Sequence, residues 1–298
     1  MNTPRLVDTI SDPPDHLSYS SASTWHDCVA NYAGLREQPW LDTLTPAQIR
    51  GTLTHSVAET VCREAMQAGM DPGWDATVMP DMAVEAVTQF RADPPNAADA
   101  AVFDSWTDPD RASVVASVVT CLDRLRALDP IPVGAEIVGV EERVEVVVGG
   151  VPFVSIVDLA YRTEAGLVLV DWKTGKAPSE RYRAAVRRQL RLGAAAWYNL
   201  TGVMPVAVQA VWLGDPAGTE MIAAVRAEVA AAVRWMRRAW DTIHAGEFPQ
   251  VGSPLCGWCP LVEVCATGQE TVAARDTEGR STGPHGGAWL TTQPGHPF

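Results

Sequence analysis

Two carboxylates and one ammonium group lie close together in this sequence. Asp158 ends one predicted apolar strand, and Asp171 ends the next strand 13 residues later. If the two strands pair as neighbours, both carboxylates meet at one sheet edge, where they suit Mg²⁺. Lys173 lies two residues beyond Asp171, on the same side of an extended chain. There an ammonium can orient a metal-activated water beside a phosphate. The alternative for each aspartate alone is a turn residue.

The lysine content draws attention to the same segment. The chain contains 23 Lys and Arg residues in total, of which only Lys173 and Lys176 are lysines. Both lie in the hexapeptide Asp171-Trp-Lys-Thr-Gly-Lys176. Elsewhere the sequence uses arginine, whose forked guanidinium does not replace a compact ammonium at every site. We therefore expect these lysines at positions that require an ammonium.

Two predicted helices carry further candidates. His55 and Glu59 are four residues apart and so share a helix face, from which they can complete or position a metal site. An exposed His–Glu pair is the alternative. Gln189 follows the lysine motif on another helix, where arginines suit contact with a phosphate backbone. The alternative is a basic surface helix. These candidate DNA-binding residues are Arg183, Arg187, Arg188 and Arg191.

The cysteine spacing predicts a metal centre. Cys256 and Cys259 form a C-x₂-C pair, and Cys265 follows after five intervening residues. A fourth ligand is then needed, and Cys28 in the first predicted helix is the leading candidate. Four thiolates suit zinc or an iron–sulfur cluster, and the spacing leaves both open. Disulfides or unrelated thiols are the alternative.

The elements that must position these residues alternate between helix and strand. Apolar spacing predicts helices over 18–32, 51–68 and 180–200 and a long helix after 213, with strands at 141–148, 151–161, 166–171 and 206–213. Residues 1–17 are predicted to form a loose lead-in and 271–298 a flexible tail. Between them, 18–270 is predicted to be one domain, with 71–130 as an acidic helical insertion. The order predicts an α/β fold with a mixed central sheet flanked by helices.

Composition and charge narrow the function classes. The chain has 298 residues, 47% of them hydrophobic, which supports a large core and excludes global disorder. No run of apolar residues is long enough to span a bilayer, and the acidic N-terminus does not resemble a signal peptide. We therefore expect no membrane contact and a reducing cytoplasmic location. The net charge of −13 disfavours nucleic acid, but residues 176–240 are locally basic.

These motifs together resemble a RecB-type nuclease of the PD-(D/E)XK superfamily, in the branch with a four-cysteine iron–sulfur cluster. That branch includes AddB-like recombination nucleases and CRISPR adaptation nucleases. The resemblance extends from Leu17 to Cys265. It is carried by Leu17–Cys28, by Gly51-Thr-Leu-Thr-His55-Ser-Val-Ala-Glu59, by Ile156-Val-Asp158, by Val170-Asp171-Trp-Lys173, by Gln189-Leu-Arg-Leu, and by Gly246-Glu-Phe-Pro with the closing cysteines.

The resemblance implies a restriction-endonuclease-like core and a Mg²⁺- or Mn²⁺-dependent deoxyribonuclease. In that family pattern, His55, Asp158, Asp171 and the main-chain carbonyl of Trp172 hold the metal, and Lys173 is catalytic. Glu59 supports the site, while Gln189 begins the Gln-x₃-Tyr motif. The four cysteines hold a 4Fe–4S cluster rather than zinc and join the N- and C-terminal segments. The implied substrate is single-stranded DNA or DNA ends, processed in recombination, repair or a phage, with a helicase as a candidate partner.

Three positions depart from the family pattern. Ser155 replaces a glycine before the first metal aspartate, Gly193 replaces the tyrosine of the Gln-x₃-Tyr motif, and Val29 replaces a proline after the first cysteine. These departures leave an alternative function, a weak or inactive DNA-binding or partner-docking module that retains the fold and the cluster. A zinc protein with an accidental Asp/Lys arrangement is a second alternative. The metal and lysine positions themselves are intact, so we expect an active enzyme.

Overall fold

A computed structural model describes Leu6 and residues 9–42, 44–94 and 97–280. The chain divides into two compact units, and the boundary lies within one helix, α8. The terminal unit comprises Met1–Thr43 and Trp235–Pro297, and the central unit comprises Leu44–Arg234. The helices are α1 Tyr19–Asp27, α2 Val29–Glu37, α3 Pro46–Ala68, α4 Met79–Ala92, α5 Ala97–Asp104, α6 Asp108–Leu128, α7 Glu180–Thr201, α8 Arg226–Ala245 and α9 Ala266–Thr277. The strands are β1 Glu136–Val148, β2 Val151–Thr163, β3 Gly166–Lys173, β4 Ala207–Trp212 and β5 Gly218–Ala223.

Within the described residues the central unit forms one mixed sheet in the order β1-β2-β3-β4-β5. The β1–β2 hairpin turns at Gly149 and Gly150, whose φ angles of +59° and +84° suit a two-residue turn between twisted strands. β3 pairs antiparallel with β2 and parallel with β4, and α7 provides the crossover. Buried residues fill most of β3 and all of β4, as expected for strands covered on both faces.

The helices cover the sheet on both sides. Val140 of β1 belongs to a buried cluster with Ala58 of α3 and Leu125 of α6. The preceding residue, Gly139, points to the opposite face, where a Cβ atom would lie 3.0 Å from Trp197 of α7. The sheet is therefore a middle layer, with α3 and α6 on one side and α7 on the other. This arrangement places α3 and α7 beside the strands that carry the aspartates.

The segment 71–130 carries α4, α5 and α6. One face of α3 joins these helices in a second hydrophobic cluster that includes Leu53, Met79, Phe103 and Leu122. Thr107 begins α6 with a capping box, in which its side chain and that of Asp110 each accept from the other's main-chain N–H. The acidic side chains of this segment therefore lie on helices with an apolar core of their own.

The terminal unit brings together segments that are distant in sequence. Ser18 caps α1, and Cys28 then adopts extended backbone with φ −163° before α2 begins. His26 stacks on Trp235 at a centroid distance of 4.1 Å, and its Nε2 lies 3.1 Å from the Trp235 carbonyl oxygen. The C-terminal segment contributes α9 and two 3-10 helices, Pro254–Trp258 and Val262–Val264.

The predicted α/β class with a mixed central sheet is confirmed, with differences at particular elements. The prediction omitted β5, an edge strand whose mostly exposed residues lack the apolar signal of the other strands. The prediction of one helix over 18–32 was also wrong, because the extended backbone of Cys28 separates α1 from α2. The helix α9 extends through Thr277, seven residues into the segment predicted as a flexible tail. The rest of that tail from 281, and residues 1–5 and 7–8 of the lead-in, lie outside the described residues.

The prediction that no helix spans a membrane agrees with the structure, since no helix among the described residues combines the necessary length and apolar character.

Candidate functional site

The register of β2 and β3 brings Asp158 and Asp171 together. Leu159 pairs with Val170, so the two aspartates occupy the next position of the antiparallel ladder. Asp158 is buried, and its Oδ2 accepts a hydrogen bond of 2.7 Å from the main-chain N–H of Trp172. This contact fixes the carboxylate beside β3. The prediction that Asp158 ends its strand is wrong, because β2 continues to Thr163 and lies between β1 and β3 in the sheet.

The helix α3 places His55 beside these two aspartates. Its Nε2 lies 3.0 Å from the carbonyl oxygen of Trp172, which can only accept, so this ring nitrogen is the donor. Its Nδ1 faces two carboxylates, at 3.4 Å from Glu141 Oε1 and 3.6 Å from Asp158 Oδ2. Metal-binding histidines commonly donate their second N–H to a carbonyl in this way. His55 is thus oriented with Nδ1 available as a ligand.

Glu141 is the residue that the sequence analysis missed. It lies on β1 between the Val140–Leu159 and Glu142–Val157 pairs, and so stands opposite Asp158. Its φ is +47°, a left-handed conformation that is unfavourable for a glutamate and is found at functional sites. Its Oε1 is buried without a hydrogen bond. The only signal for Glu141 in the sequence is the adjacent pair Glu141-Glu142. Successive residues of a strand point to opposite faces of the sheet, so the two glutamates cannot both lie on the same solvent-facing side.

Together these side chains form a candidate cation site. One ligand atom from each of His55, Glu141 and Asp158 lies within 4.8 Å of the other two. Imidazole and carboxylate donors are suitable for Mn²⁺, and carboxylate oxygens for Mg²⁺. The unbonded Oε1 of Glu141 gives this donor set an oxygen that a cation would satisfy. The residues present therefore fit a divalent metal.

Asp171 belongs to an adjoining polar network. Lys173 Nζ lies 3.0 Å from Asp171 Oδ1 and 2.9 Å from Oδ2. Gln189 of α7 donates through Nε2 to Asp171 Oδ1 at 3.2 Å and accepts from Lys173 Nζ at 3.2 Å. The amide thus contacts both partners and fixes their relative positions. The structure places all three predicted residues in one hydrogen-bonded group.

The charges in this site shift its pKa values. Burial lowers the pKa of His55, but Glu141, Asp158 and Asp171 outweigh burial and raise it to about 9. Burial raises the pKa of Asp158, and the nearby carboxylates of Asp171 and Glu141 raise it further, while His55 opposes them. The cluster of carboxylates thus dominates the His55 shift, whereas burial is the largest cause of the Asp158 shift. A divalent ion would favour the deprotonated form of each group.

Other predicted site residues have partners within the chain. Glu59 accepts a hydrogen bond of 2.8 Å from Arg63, so it is paired along its own helix. Arg183 and Arg187 both contact Glu220 of β5, at 3.5 Å and 2.8 Å. Arg191 pairs with Glu228. Arg188 lies half-buried on the same helix.

The four predicted cluster cysteines line one cavity of about 210 Å³ in the terminal unit, with Asn31 and Gln250 in the same wall. Burial, with smaller contributions from the neighbouring cysteines, raises the pKa of the Cys259 thiol to about 11. Among the described residues, the only set of three ligand atoms within 4.8 Å is the His55 set, so no three of these sulfur atoms approach that closely. The cysteines that line the cavity are Cys28, Cys256, Cys259 and Cys265.

A family model for the PD-(D/E)XK nuclease superfamily matches residues 16–266. The chain belongs to the PD-(D/E)XK nuclease superfamily. Membership implies a metal-dependent nuclease that acts on DNA, and the His55, Glu141 and Asp158 set provides metal-binding groups for this activity. The predicted superfamily is therefore confirmed, whereas the RecB-type branch and the iron–sulfur cluster stay predictions.

Two further comparisons add little to this assignment. A solved structure titled "Crystal structure of SSO0001" is 14% identical, covering 64% of this chain and 84% of that chain with a TM-score of 0.35. That similarity is too weak to bear on function. A search of curated proteins finds no match.

Proposed function

We propose that this member of the superfamily is a Mg²⁺- or Mn²⁺-dependent deoxyribonuclease, and specifically an exonuclease acting on DNA ends or single strands. The observation that carries the proposal is the juxtaposition of two groups in the central unit. A donor set of His55, Glu141 and Asp158 lies beside the hydrogen-bonded group of Asp171, Lys173 and Gln189. Metal ligands next to a positioned ammonium are suited to phosphodiester hydrolysis.

His55, Glu141 and Asp158 would hold the metal, with Asp171 as a further predicted ligand. The Trp172 carbonyl, also predicted as a ligand, contacts Nε2 of His55 on the opposite side of the ring from Nδ1, so it would not share a metal bound at Nδ1. The bound ion would supply Lewis-acid activation of the phosphate and of a water nucleophile. The chain prepares for this by burying the carboxylates and by fixing Asp158 on the Trp172 N–H. His55 is held by its donation to the Trp172 carbonyl, so Nδ1 needs no reorientation to bind.

Lys173 is proposed to act on the attacking water and on the charge that develops at phosphorus. Its Nζ is anchored between Asp171 and Gln189, at 3.0 Å and 3.2 Å, and can shift between these partners and a substrate oxygen. A positioned cation of this kind stabilises developing negative charge without reorganisation of the site. Gln189 is a positioning residue that replaces the role lost with the missing tyrosine at Gly193.

DNA is proposed to approach along α7. Arg183 and Arg187 share Glu220 as a partner, so a phosphate must compete with that carboxylate. Such an exchange is feasible because carboxylate and phosphate present similar oxygen pairs to a guanidinium. Arg188 and Arg191 are proposed to extend the contact. Glu59, which pairs with Arg63, is proposed to support the helix that carries His55.

The four cysteines are proposed to hold a 4Fe–4S cluster that joins Cys28 to the C-terminal segment. The convergence of all four thiols on one cavity supports a metal group held by cysteines. The family resemblance favours a cluster over a single zinc ion. No redox step of the nuclease reaction depends on this group. The resemblance to recombination nucleases supports a role at DNA ends in recombination, repair or phage DNA processing, beside a helicase, in the cytoplasm.

The test is cleavage of end-labelled single- and double-stranded DNA with Mg²⁺ or Mn²⁺, comparing the wild type with Asp171→Ala. A matched control is Asp241→Ala, which removes an exposed aspartate of α8. All three proteins are compared at equal iron and sulfide content. Cleavage by the wild type and the control alone supports the nuclease, and the position of the label gives its polarity.

Absence of cleavage by all three proteins with the cluster intact would overturn the nuclease proposal. Retained DNA binding would then favour the docking-module alternative, for which Lys173→Arg should also be neutral. Zinc without iron and sulfide after anaerobic purification would overturn the cluster.

A further inference from the structure

Two side-chain amides in the cysteine cavity contact cysteine sulfur atoms. Asn31 Oδ1 lies 3.5 Å from Cys259 Sγ, and Gln250 Oε1 lies 3.5 Å from Cys265 Sγ. Asn31 comes from α2, whereas Gln250 comes from the C-terminal segment that precedes the C-x₂-C pair. Both residues and all four cysteines line the same cavity. The amides are thus placed at two different ligands of one site.

The donor and acceptor in these hydrogen bonds must exchange when the cysteines bind a metal. In the structure each thiol donates its proton to an amide oxygen. A metal-bound thiolate has no proton and can only accept. Rotation of the terminal amide by half a turn exchanges its oxygen for its NH₂ group at the same position. The same side chain then donates to the thiolate without movement of the backbone.

Main-chain donors point at two of the four cysteine sulfur atoms. The N–H of Ser253 donates to Cys256 Sγ at 3.3 Å, and the N–H of Gly268 donates to Cys265 Sγ at 3.3 Å. The cavity therefore already directs N–H groups at its sulfur atoms, which suits a site with negatively charged sulfur.

We propose that Asn31 and Gln250 donate hydrogen bonds to the thiolates of Cys259 and Cys265 and thereby set the reduction potential of the cluster. This inference rests on the 4Fe–4S cluster of the proposed function. Hydrogen bonds to sulfur withdraw electron density and favour the reduced cluster, so they raise its potential. Residues of this kind tune a metal centre without ligating it.

The test is an anaerobic redox titration of the full-length holoprotein, monitored by electron paramagnetic resonance. Asn31→Leu and Gln250→Leu remove the donors at similar volume, and Asn31→Asp replaces NH₂ by a negatively charged acceptor. Gln89→Leu, on an exposed face of α4, is the matched control. We expect each leucine variant to lower the reduced-to-oxidised ratio at a fixed potential by up to about tenfold, or about 59 mV for one electron. Asn31→Asp should lower it further.

A second measurement separates hydrogen bonding from a general loosening of the cavity. The Fe–S(Cys) stretching bands of the wild type should shift in D₂O, and this shift should shrink in both leucine variants. Gln250 is the safer site because its side chain is exposed. Unchanged potentials and bands in variants that retain iron and sulfide would overturn the role of the amides while leaving the cluster. Absence of iron from the wild type would overturn both.

Discussion

The two candidate sites differ in the atoms they present and in how those atoms are positioned. The central site offers oxygen and imidazole donors from β1, β2, β3 and α3, so its geometry depends on strand register and on helix packing. The cysteine cavity takes three of its four sulfur atoms from ten consecutive residues, and 3-10 helices set their spacing. Hard donors in the first site suit a cation that exchanges with solvent, whereas soft donors in the second suit a metal that is retained.

The two sites also differ in the charge of the groups around them. Lys173 lies against Asp171 in the central site, where it can contact a substrate phosphate. In the cavity the sulfur atoms are contacted by neutral N–H groups and amides. This difference is what the proposed functions require, a reaction at the central site and a retained metal group in the cavity.

A chelator should remove the metal from the central site and leave the cluster of the cysteine cavity in place. Treatment with EDTA should abolish DNA cleavage, because weakly held Mg²⁺ or Mn²⁺ leaves the oxygen donors. The visible absorption of the cluster should persist, because thiolates hold iron much more strongly. Activity and absorption are measured on one sample, and added Mn²⁺ should restore cleavage. Simultaneous loss of both signals would show that the two centres are not independent.

Lys173→Arg should lower kcat by about 10²- to 10³-fold, the cost of removing one positioned transition-state donor. The charge is preserved, but a planar guanidinium does not fit between Asp171 and Gln189 as an ammonium does. Single-turnover cleavage at saturating Mn²⁺ measures the effect. Arg238→Lys, a charge-preserving change in the opposite direction at an exposed position of α8, is the control. Wild-type rates in Lys173→Arg would contradict an ammonium-specific role.

Metal affinity at the central site should rise with pH by up to about tenfold per unit for each proton released. The raised pKa values of His55 and Asp158 mean that both must lose protons for the metal to bind. Calorimetry in two buffers of different ionisation enthalpy counts those protons between pH 6 and 9. In the metal-free protein, stabilisation by charged His55 is full below about pH 6.5 and is lost as the pH rises through about 9. A pH-independent affinity would exclude His55 as a ligand.

Glu141→Gln should weaken Mn²⁺ binding by about 10- to 100-fold, the range for groups that support a metal site. Glu141→Gly tests the backbone separately, since it adds relief of the strained φ of +47°, of the order of 1 kcal/mol or more. Glu142→Gln, at the next position of β1, is the matched control. Equal metal affinity in all variants would remove Glu141 from the site.

The sequence allowed prediction of those features that depend on short spacing. The C-x₂-C pair and the aspartates of adjacent strands follow from local periodicity, and the structure brings the cysteines to one cavity. Glu141 was missed because its role depends on pairing with β2 and on an unusual φ, neither of which has a local signature. The partners of Arg187 were missed for a similar reason. Glu220 lies on the edge strand β5, whose exposed residues gave no strand signal.

The terminal unit is made of two segments that are far apart in the sequence, and this sets the order in which the units can fold during synthesis. The central unit, Leu44–Arg234, is one continuous stretch, so it can fold as soon as it leaves the ribosome. The terminal unit requires Cys28 and Cys265, which are separated by most of the chain. Loading of the cysteine cavity is therefore one of the last steps of maturation. A polypeptide truncated before Cys265 would contain every carboxylate of the central site but an incomplete sulfur set, so the proposed cluster could form only after translation has passed this point.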